Sequence, residues 1–273
     1  MKRVILVIVV LVFTLSLKVV SVYAEKKKLV IQGSTTVLPI AQKCAEVFMK
    51  KHPEADISVR GGGSGVGIAA LIDGICDIAD ASRPIKDKEL KKALEKGIDP
   101  VAHVIAMDGI AVIVHPSNPV NEITLTQLKD IYTGKISNWS KLGGKNQKIV
   151  VISRDVASGT FECFNKLVLK KERVRPDALL QASNAAVFSV VKRTKGAIGY
   201  VGLGYLNSEV KALKVDGVLP SQYTVLKGTY PISRPLFMYT DGKPKGLVKD
   251  FIDFVLSKEG QKIVKEEGFV PLK

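Results

Sequence analysis

The segment KIVVISRDVASGT, residues 148–160, combines a strand pattern, a short polar loop and the start of a helix. The four consecutive β-branched residues 149–152 are typical of a buried strand, and Ser158-Gly159-Thr160 precede an apolar-periodic segment that indicates a helix. The first N–H groups of a helix have no internal partner and carry the positive end of its dipole, and Arg154 adds a planar fork of donors. This stretch therefore predicts an α/β fold with a site for an anion.

Two further stretches repeat this arrangement of strand, small polar loop and helix. The sequence GSTT, residues 33–36, follows a strand-like run at 29–31, and GGGSGVG, residues 61–67, follows another at 57–59. Turns between strands and helices favour Ser, Thr and Gly for structural reasons alone, so each stretch by itself fits a structural role equally well. The three copies together favour convergence on one anion.

The order of strand-like and helix-like runs along the whole chain predicts an α/β fold with a mainly parallel sheet. Helices are expected over residues 37–48, 68–72, 87–96, 126–132, 161–168, 186–192 and, as one long amphipathic helix, 247–266. Strands are expected over residues 29–31, 57–59, 76–79, 105–115, 148–152, 197–201 and 235–239. Thr124 or Thr126 is expected to cap the helix at 126–132.

The N-terminus has the pattern of a secretory signal peptide, residues 1–24. A basic start, MKR, is followed by an apolar run at residues 4–17, and the small residue Ala24 marks the expected cleavage point. An uncleaved membrane anchor is the alternative, because the apolar run is long, although Lys18 interrupts it. The sequence thus predicts a periplasmic or extracytoplasmic protein.

The chain is strongly basic, with a formal net charge of +15. Removal of residues 1–24 deletes three basic residues and no acidic one, which leaves +12. The positive charge is spread along the chain, aromatic residues make up only 6%, and no zinc-finger or RNP-type motif is present, so no nucleic-acid partner is expected. A generally positive field would instead attract a small anion.

The motifs of enzymes and metal sites are missing from the sequence, so neither an enzymatic activity nor a cofactor is expected. Residues 61–67 lack the Gly-Lys-Ser/Thr ending of a phosphate-binding P-loop, and Ser158 does not lie in a nucleophile-elbow pattern. Cys44, Cys76 and Cys163 have no metal-ligand spacing and are interpreted as small core residues, with a Cys44–Cys76 disulfide left open. An exported phosphatase that uses the same cleft is an alternative.

A series of short motifs follows a fixed order over residues 29–272. They are GSTT at 33–36, GGGSGVG at 61–67, DASRP at 80–84, LTQLKDIYTGKISNW at 125–139, RDVASGT at 154–160, GAIGY at 196–200 and YPISRPL at 230–236. In this order they closely resemble the phosphate-binding proteins of ABC importers. The resemblance implies a monomer outside the cytoplasm that binds inorganic phosphate with high affinity and delivers it to a membrane permease.

The resemblance also implies the type II periplasmic-binding-protein fold, in which two α/β lobes close around a ligand cleft. Residues 25–108 and 201–273 would form lobe I, and residues 109–200 would form lobe II. The phosphate contacts implied by the matching motifs are Ser34, Thr35, Thr36, Ser64, Ser82, Arg83, Arg154, Ser158, Gly159 and Thr160.

One motif departs from the pattern of some family members, which place an Asp in the turn before the Pro. That Asp accepts a proton from bound phosphate and helps to exclude sulfate. Here the turn contains Ser82 followed by Arg83, so another tetrahedral oxyanion such as sulfate is the alternative ligand. Ser82 could accept the proton, Arg83 could pair with the anion or with Asp80, and Asp155 could orient Arg154.

Overall fold

The computed structural model describes residues 27–272, so the predicted signal peptide, residues 1–24, lies outside the described residues. The strands are β1 (Lys27–Gly33), β2 (Ala55–Arg60), β3 (Ile78–Ala81), β4 (Pro100–Val114), β5 (Glu122–Ile123), β6 (Val150–Arg154), β7 (Leu179–Gln181), β8 (Ala197–Gly202), β9 (Lys211–Ala212), β10 (Lys214–Val215) and β11 (Ser233–Asp241). The α-helices are α1 (Leu38–Lys51), α2 (Ser64–Ile72), α3 (Asp87–Glu95), α4 (Leu125–Thr133), α5 (Gly159–Phe164), α6 (Asn184–Arg193), α7 (Gln222–Leu226), α8 (Gly246–Leu256) and α9 (Lys258–Glu266).

Most strands belong to one mixed sheet, in the order β2-β1-β3-β11-β4-β8-β6-β7, with β9 paired to β4. At both ends the neighbours are parallel, since β1 pairs in this way with β2 and β3, and β6 with β7 and β8. The joins in the middle, β3–β11, β11–β4 and β4–β8, are antiparallel. The expectation of a mainly parallel sheet therefore holds at the ends and fails in the centre.

Strand β4 joins two halves of the molecule. Its residues 100–109 pair with β11, and its residues 110–114 pair with β8. We call the part built on β1–β3, β11, α1–α3, α8 and α9 the first half, and the part built on β5–β10 and α4–α7 the second half. Strand β4 leaves the first half and β11 returns to it, so the two strands run in opposite directions.

Each half has its own apolar core. In the first half, α1, α8 and α9 cover one face of the sheet, where Phe48 meets Phe251 edge to face with ring centroids 5.6 Å apart, and α2 covers the other face. In the second half, Phe164 stacks on Tyr200 with centroids 4.1 Å apart. Stacked and edge-to-face aromatic pairs add to the stabilisation that burial of their area provides.

The single tryptophan and two of the three cysteines pack in the apolar interior, whereas Cys163, which was expected there as well, is only half-buried. Trp139 is 1% exposed, and its Nε1–H donates to the carbonyl oxygen of Gly196 at 3.0 Å. Cys44 and Cys76 are buried free thiols, so the disulfide left open by the sequence does not form. Among residues 27–272, none of the helices combines the length and the apolar character that crossing a bilayer requires.

Several element predictions are wrong in their bounds. The single long helix expected over residues 247–266 is split into α8 and α9, because Ser257 is extended (φ −69°, ψ 168°) and its hydroxyl accepts the N–H of Gly260 at 3.2 Å. A serine cap thus outweighs the continuous apolar stripe of the sequence. The strands expected at residues 76–79 and 148–152 lie two residues further along the chain, at Ile78–Ala81 and Val150–Arg154. The α-helix expected over residues 161–168 ends at Phe164 and continues as a π-helical turn over Asn165–Leu169.

Of the two caps predicted for α4, Thr124 is the one that the structure has, and it forms a capping box. The hydroxyl of Thr124 accepts the N–H of Gln127 at 3.1 Å, and the Gln127 side chain accepts the N–H of Thr124 at 2.9 Å. Thr126, the other candidate, lies within the first turn of α4.

These two threonines form a matched pair for a stability test. We expect Thr124→Ala to lower the free energy of unfolding by about 1 kcal/mol, the usual effect of losing a hydroxyl cap. Thr126→Ala should leave it unchanged or raise it slightly, because alanine is the better helix former. Urea unfolding of both variants measures the difference, and equal effects would contradict the assignment of the cap.

Candidate anion-binding site

Four helices begin at one place between the two halves. Helices α1, α2, α5 and α6 follow the carboxyl ends of β1, β2, β6 and β7. The hydroxyl oxygens of Thr36 and Thr160 are 3.0 Å apart, Asn184 Nδ2 donates to the Thr36 hydroxyl at 3.0 Å, and the Gly65 N–H donates to the Ala157 carbonyl at 2.9 Å. The positive ends of four helix dipoles therefore meet there, which favours an anion.

Hydroxyl groups from both halves line this meeting point. Asn184 Nδ2 also donates to the Thr35 hydroxyl at 3.0 Å, and the Ser64 hydroxyl accepts the Ser82 N–H at 3.0 Å. The Ser64 and Ser82 hydroxyl oxygens are 3.3 Å apart. Every residue of this set is at most 6% exposed, so the hydroxyls are largely removed from water.

Two other predicted site residues hold helix starts in place through their hydroxyls. The Ser34 hydroxyl accepts the Thr36 N–H at 3.1 Å, and the Ser158 hydroxyl accepts the Phe161 N–H at 3.1 Å. Asp155 has a similar local role, since its carboxylate accepts the Ala157 N–H at 2.9 Å. This contact stabilises the loop. The prediction that Asp155 orients Arg154 has no hydrogen bond to support it within residues 27–272.

Gly159 lies at a close contact between the two halves. A Cβ atom at this position would lie 2.3 Å from Ser64 Oγ and 2.7 Å from Ser82 Oγ, both in the other half. The nearby Gly65 differs, because a Cβ there would have its nearest neighbour at 3.5 Å, an ordinary contact. The close approach of the halves therefore depends on the missing side chain at position 159.

These two glycines supply a matched test of the closed arrangement. We expect Gly159→Ala to weaken anion binding about tenfold to hundredfold, the effect of an overpacked contact that keeps the halves apart. Gly65→Ala should bind as the unchanged protein does. Calorimetric titration with phosphate measures both affinities, and unchanged binding by Gly159→Ala would contradict this geometry.

Arg154 is fixed by the backbone of β7 and retains one free donor group. Its Nε donates to the Gln181 carbonyl at 2.9 Å and its Nη2 to the Ala182 carbonyl at 3.0 Å. The side chain is buried, and Nη1 has no hydrogen-bond partner in the described part of the chain. Burial lowers the pKa of this guanidinium. A buried cationic donor of this kind calls for an anionic acceptor.

Arg234 is a site residue that the sequence did not single out. Its Nη2 donates to the hydroxyls of Thr160 at 2.9 Å and Thr36 at 3.2 Å, and its Nη1 donates to the Ser82 carbonyl at 3.2 Å. Its Nε and Nη2 also donate to Asp108 Oδ2, at 3.1 and 2.9 Å. This one side chain therefore links hydroxyls of both halves to the strand that joins them.

Asp108 balances the charge of Arg234. The carboxylate is fully buried, and its Oδ1 accepts the Leu203 N–H at 2.9 Å. Burial raises its pKa, while Arg234 and the Leu203 N–H oppose this shift. Arg234 is therefore neutralised by an ion pair with Asp108. Within residues 27–272, Arg154 forms no ion pair with a carboxylate, so its positive charge remains available to a ligand.

Arg83 is buried, but its guanidinium binds carboxylates and not the hydroxyl cluster. Its Nη1 and Nη2 donate to the two carboxylate oxygens of Glu89, each at 2.8 Å, and Nη1 also donates to the Pro84 carbonyl at 2.9 Å. Its Nε lies 2.9 Å from Glu162 Oε2. The structure thus brings nine of the ten predicted residues together, and Arg83 is the exception because its guanidinium is paired with Glu89 and Glu162. The expected pairing of Arg83 with Asp80 is not formed either.

The residues that the sequence missed carried weak local patterns. Asn184 follows Ser183, which caps α6 by accepting the Ala186 N–H at 3.0 Å, so α6 repeats the Ser-led helix start of the other stretches. Arg234 lies within the motif YPISRPL, residues 230–236, and its position beside Pro235 is typical of an exposed turn. The repeated helix start was therefore the available clue to Asn184, whereas the local pattern around Arg234 gave no such clue.

Asp80 is an unpaired carboxyl inside the first half. It is 1% exposed, and neither carboxyl oxygen has a hydrogen-bond partner within residues 27–272. Burial raises its pKa well above the ordinary value. The unfolded chain ionises this group at about pH 3.9. Folding therefore keeps a proton that the unfolded chain releases, and stability falls as pH rises above about 4.

Asp80→Asn removes this proton linkage while conserving the shape of the side chain. We expect the variant to melt at least about 2 °C higher at pH 7.5, roughly 1 kcal/mol for a chain of this size, and to lose that advantage near pH 4. Calorimetric melting across pH measures the trend, with the exposed Asp250→Asn as control. A difference that does not change with pH would contradict the prediction.

A closed set of fixed donors between two α/β halves defines a class: a binding protein that encloses an anion. Within residues 27–272, His, Cys, Asp and Glu side chains form no group of three that could hold a metal ion. A family model for the PBP superfamily domain matches residues 21–259. That match covers most of the chain, so it applies to both halves.

Individual relatives give the same result with more detail. The phosphate-binding protein PstS of Bacillus subtilis is 38% identical, over 89% of this chain and 80% of its own length. A crystal structure from Clostridium perfringens, described as a phosphate ABC transporter substrate-binding protein with bound phosphate, is 39% identical, with a TM-score of 0.84 and coverage of 90% of this chain and 100% of that one. An ABC-type phosphate transport receptor from Vibrio cholerae is 33% identical, with a TM-score of 0.73 and coverage of 89% and 99%.

The chain belongs to the PstS family of phosphate-binding proteins, within the PBP superfamily. The resemblance stated from the motifs is therefore confirmed. The fold is the α/β, two-lobed type II fold, with the ligand cleft between the lobes, as predicted.

Proposed function

We propose that the protein is the high-affinity phosphate-binding component of an ABC importer. The observation that carries the proposal is the buried, unpartnered Nη1 of Arg154, a cationic donor at the end of β6, one of the four strands whose following helices begin at the hydroxyl cluster within residues 27–272. Members of this family are substrate-binding components of transporters and not enzymes, so the ligand is recognised without bond breaking. The partners are inorganic phosphate and a membrane permease, and the protein acts as a monomer.

The site would bind phosphate by replacing its hydration shell. A dianion that leaves water loses strong hydrogen bonds, and only donors already fixed in place compensate for that loss. Arg154 is held by two backbone carbonyls, and Asn184 and Arg234 hold the hydroxyls of Thr36 and Thr160. The free energy needed to order these donors is therefore supplied largely by the fold.

The proposed phosphate contacts are nine of the ten residues that the motifs imply. They are Ser34, Thr35, Thr36, Ser64, Ser82, Arg154, Ser158, Gly159 and Thr160. Asn184 and Arg234 support them as positioning residues, since both donate to hydroxyls of the set. The tenth, Arg83, stays a prediction as a direct contact, and its carboxylate partners support a different role.

The proposed lobes follow the predicted boundaries, with one refinement. The first crossing, at residues 108/109, agrees with the exchange of partners along β4. The second was predicted at residues 200/201, but Leu203, Leu213, Val225 and Ile232 pack in the core of the second half. This packing favours a return crossing near residue 233, where β11 begins.

The family places the protein in the periplasm or outside the cell. We propose that residues 1–24 act as its signal peptide and are removed after Ala24. The basic start and apolar run of the sequence support this, and the net charge of +12 that remains would draw phosphate toward the cleft.

Calorimetric titration of residues 25–273, stripped of bound anion, tests the proposed function. We expect one-to-one binding of phosphate that excess sulfate does not displace. Arg154→Ala should weaken phosphate binding at least about 100-fold, the effect of removing one partner of a buried charge pair. Arg193→Ala is the matched control, because Arg193 is exposed and bonds only to the Ser189 carbonyl of its own helix within residues 27–272.

The two anions separate the outcomes. Equal binding of sulfate would replace phosphate by a broader class of tetrahedral oxyanions. Phosphate affinity that survives Arg154→Ala would show that the ligand binds elsewhere. Release of inorganic phosphate from a phosphomonoester would support the phosphatase alternative.

A further inference from the structure

Glu162 connects the two halves beside the anion site. It lies in the first turn of α5, the helix that begins with Gly159 and Thr160. Its Oε2 is 2.9 Å from Arg83 Nε, and its Oε1 contacts Lys86 Nζ. Both cations belong to the loop that leads into α3 in the first half, so one carboxylate of the second half faces two cations of the first.

Arg83 is prepared for this contact within its own half. Glu89 holds Nη1 and Nη2 with two hydrogen bonds of 2.8 Å. Nε lies 2.9 Å from Glu162 Oε2 without forming a hydrogen bond, so its contact with Glu162 is one of charge. The Arg83 side chain is only 4% exposed, and those of Glu89 and Glu162 are 18% and 21% exposed. Charges removed from water to this degree attract each other more strongly than surface pairs and are screened less by salt.

The position of Glu162 gives this contact a further consequence. An unpaired carboxylate in the first turn of α5 would repel an anion approaching the start of the same helix. Closing the two halves brings Arg83 and Lys86 against it and neutralises that charge. The same movement joins Thr36 to Thr160 across the boundary. Closure and anion binding therefore favour each other.

We propose that Glu162, Arg83 and Lys86 form an interlobe ion-pair clamp that couples phosphate binding to closure. Glu162 is the positioning residue of this clamp. It sets phosphate affinity through the closed state and does not contact the anion. Arg83 would accordingly act on affinity through Glu162. This inference rests on the proposed function, because it takes phosphate as the anion.

Cys163, next to Glu162, offers an independent measure of closure. Its Sγ contacts the Ser82 carbonyl of the other half at 3.5 Å, and it is only half-buried. Cys44 and Cys76 are buried, and burial raises the pKa of both thiols to about 12. A thiol reagent should therefore react selectively at Cys163, and more slowly when the halves are closed.

The test compares Glu162→Gln with the matched control Glu172→Gln, whose partner Lys129 lies in the same half. We expect Glu162→Gln to raise the phosphate Kd about tenfold, the effect of losing charge-assisted contacts, mainly through faster release. Saturating phosphate should protect Cys163 less in this variant than in the unchanged protein. Glu172→Gln should match the unchanged protein in both measurements.

A double-mutant cycle separates the clamp from a direct phosphate contact by Arg83. If Arg83 acts through Glu162, Arg83→Gln should weaken binding in the unchanged protein and have little further effect in Glu162→Gln. Equal losses in both backgrounds would identify Arg83 as a direct ligand and overturn the clamp. An unchanged Kd together with unchanged Cys163 protection in Glu162→Gln would also overturn it. Failure of the unchanged protein to bind phosphate would instead refute the proposed function.

Discussion

The hydrogen bonds from Arg154 to two backbone carbonyls are the constraint on which the site depends. They fix a buried cation with one nitrogen that is unpartnered within residues 27–272, at the end of β6, the strand that leads into the helix start of Gly159 and Thr160. Asn184 and Arg234 in turn hold the hydroxyls of Thr36 and Thr160. Fixed donors of this kind cannot relax toward one another, so they are preorganised for binding an anion. The fold supplies this rigidity because strand ends and helix starts, not flexible loops, carry the residues.

The charges around the site are balanced so that closure and binding agree. Asp108 neutralises Arg234 at the point where β4 exchanges β11 for β8, and Glu89 and Glu162 neutralise Arg83. Hydroxyls alone would bind a dianion too weakly. If every arginine were unpaired, the site would instead carry more positive charge than the anion neutralises. Arg154 is therefore the arginine whose charge is available to the anion. The ion pairs of Arg234 and Arg83 instead stabilise the junction at β4 and the boundary between the halves.

The sequence predicted the fold class and most of the hydroxyl cluster because these follow from local patterns. A strand, a small polar loop and a helix start are visible within a dozen residues, as at 148–160. Arg234 and Asn184 were missed because their partners lie far away along the chain, up to 198 residues for Arg234. The environment of Arg83 was hidden for the same reason, since Glu162 belongs to the other half. Ser257 shows the opposite failure, where an apolar stripe concealed a local cap.

The position of the single tryptophan decides what an optical experiment can see. Trp139 is enclosed in the second half and bonded to Gly196, away from the hydroxyl cluster. Its emission should therefore report unfolding of that half while staying almost silent when the ligand arrives. A fluorescent reporter of phosphate would need a dye at the boundary instead. Cys163 already stands there as a natural attachment point, with the other two thiols shielded.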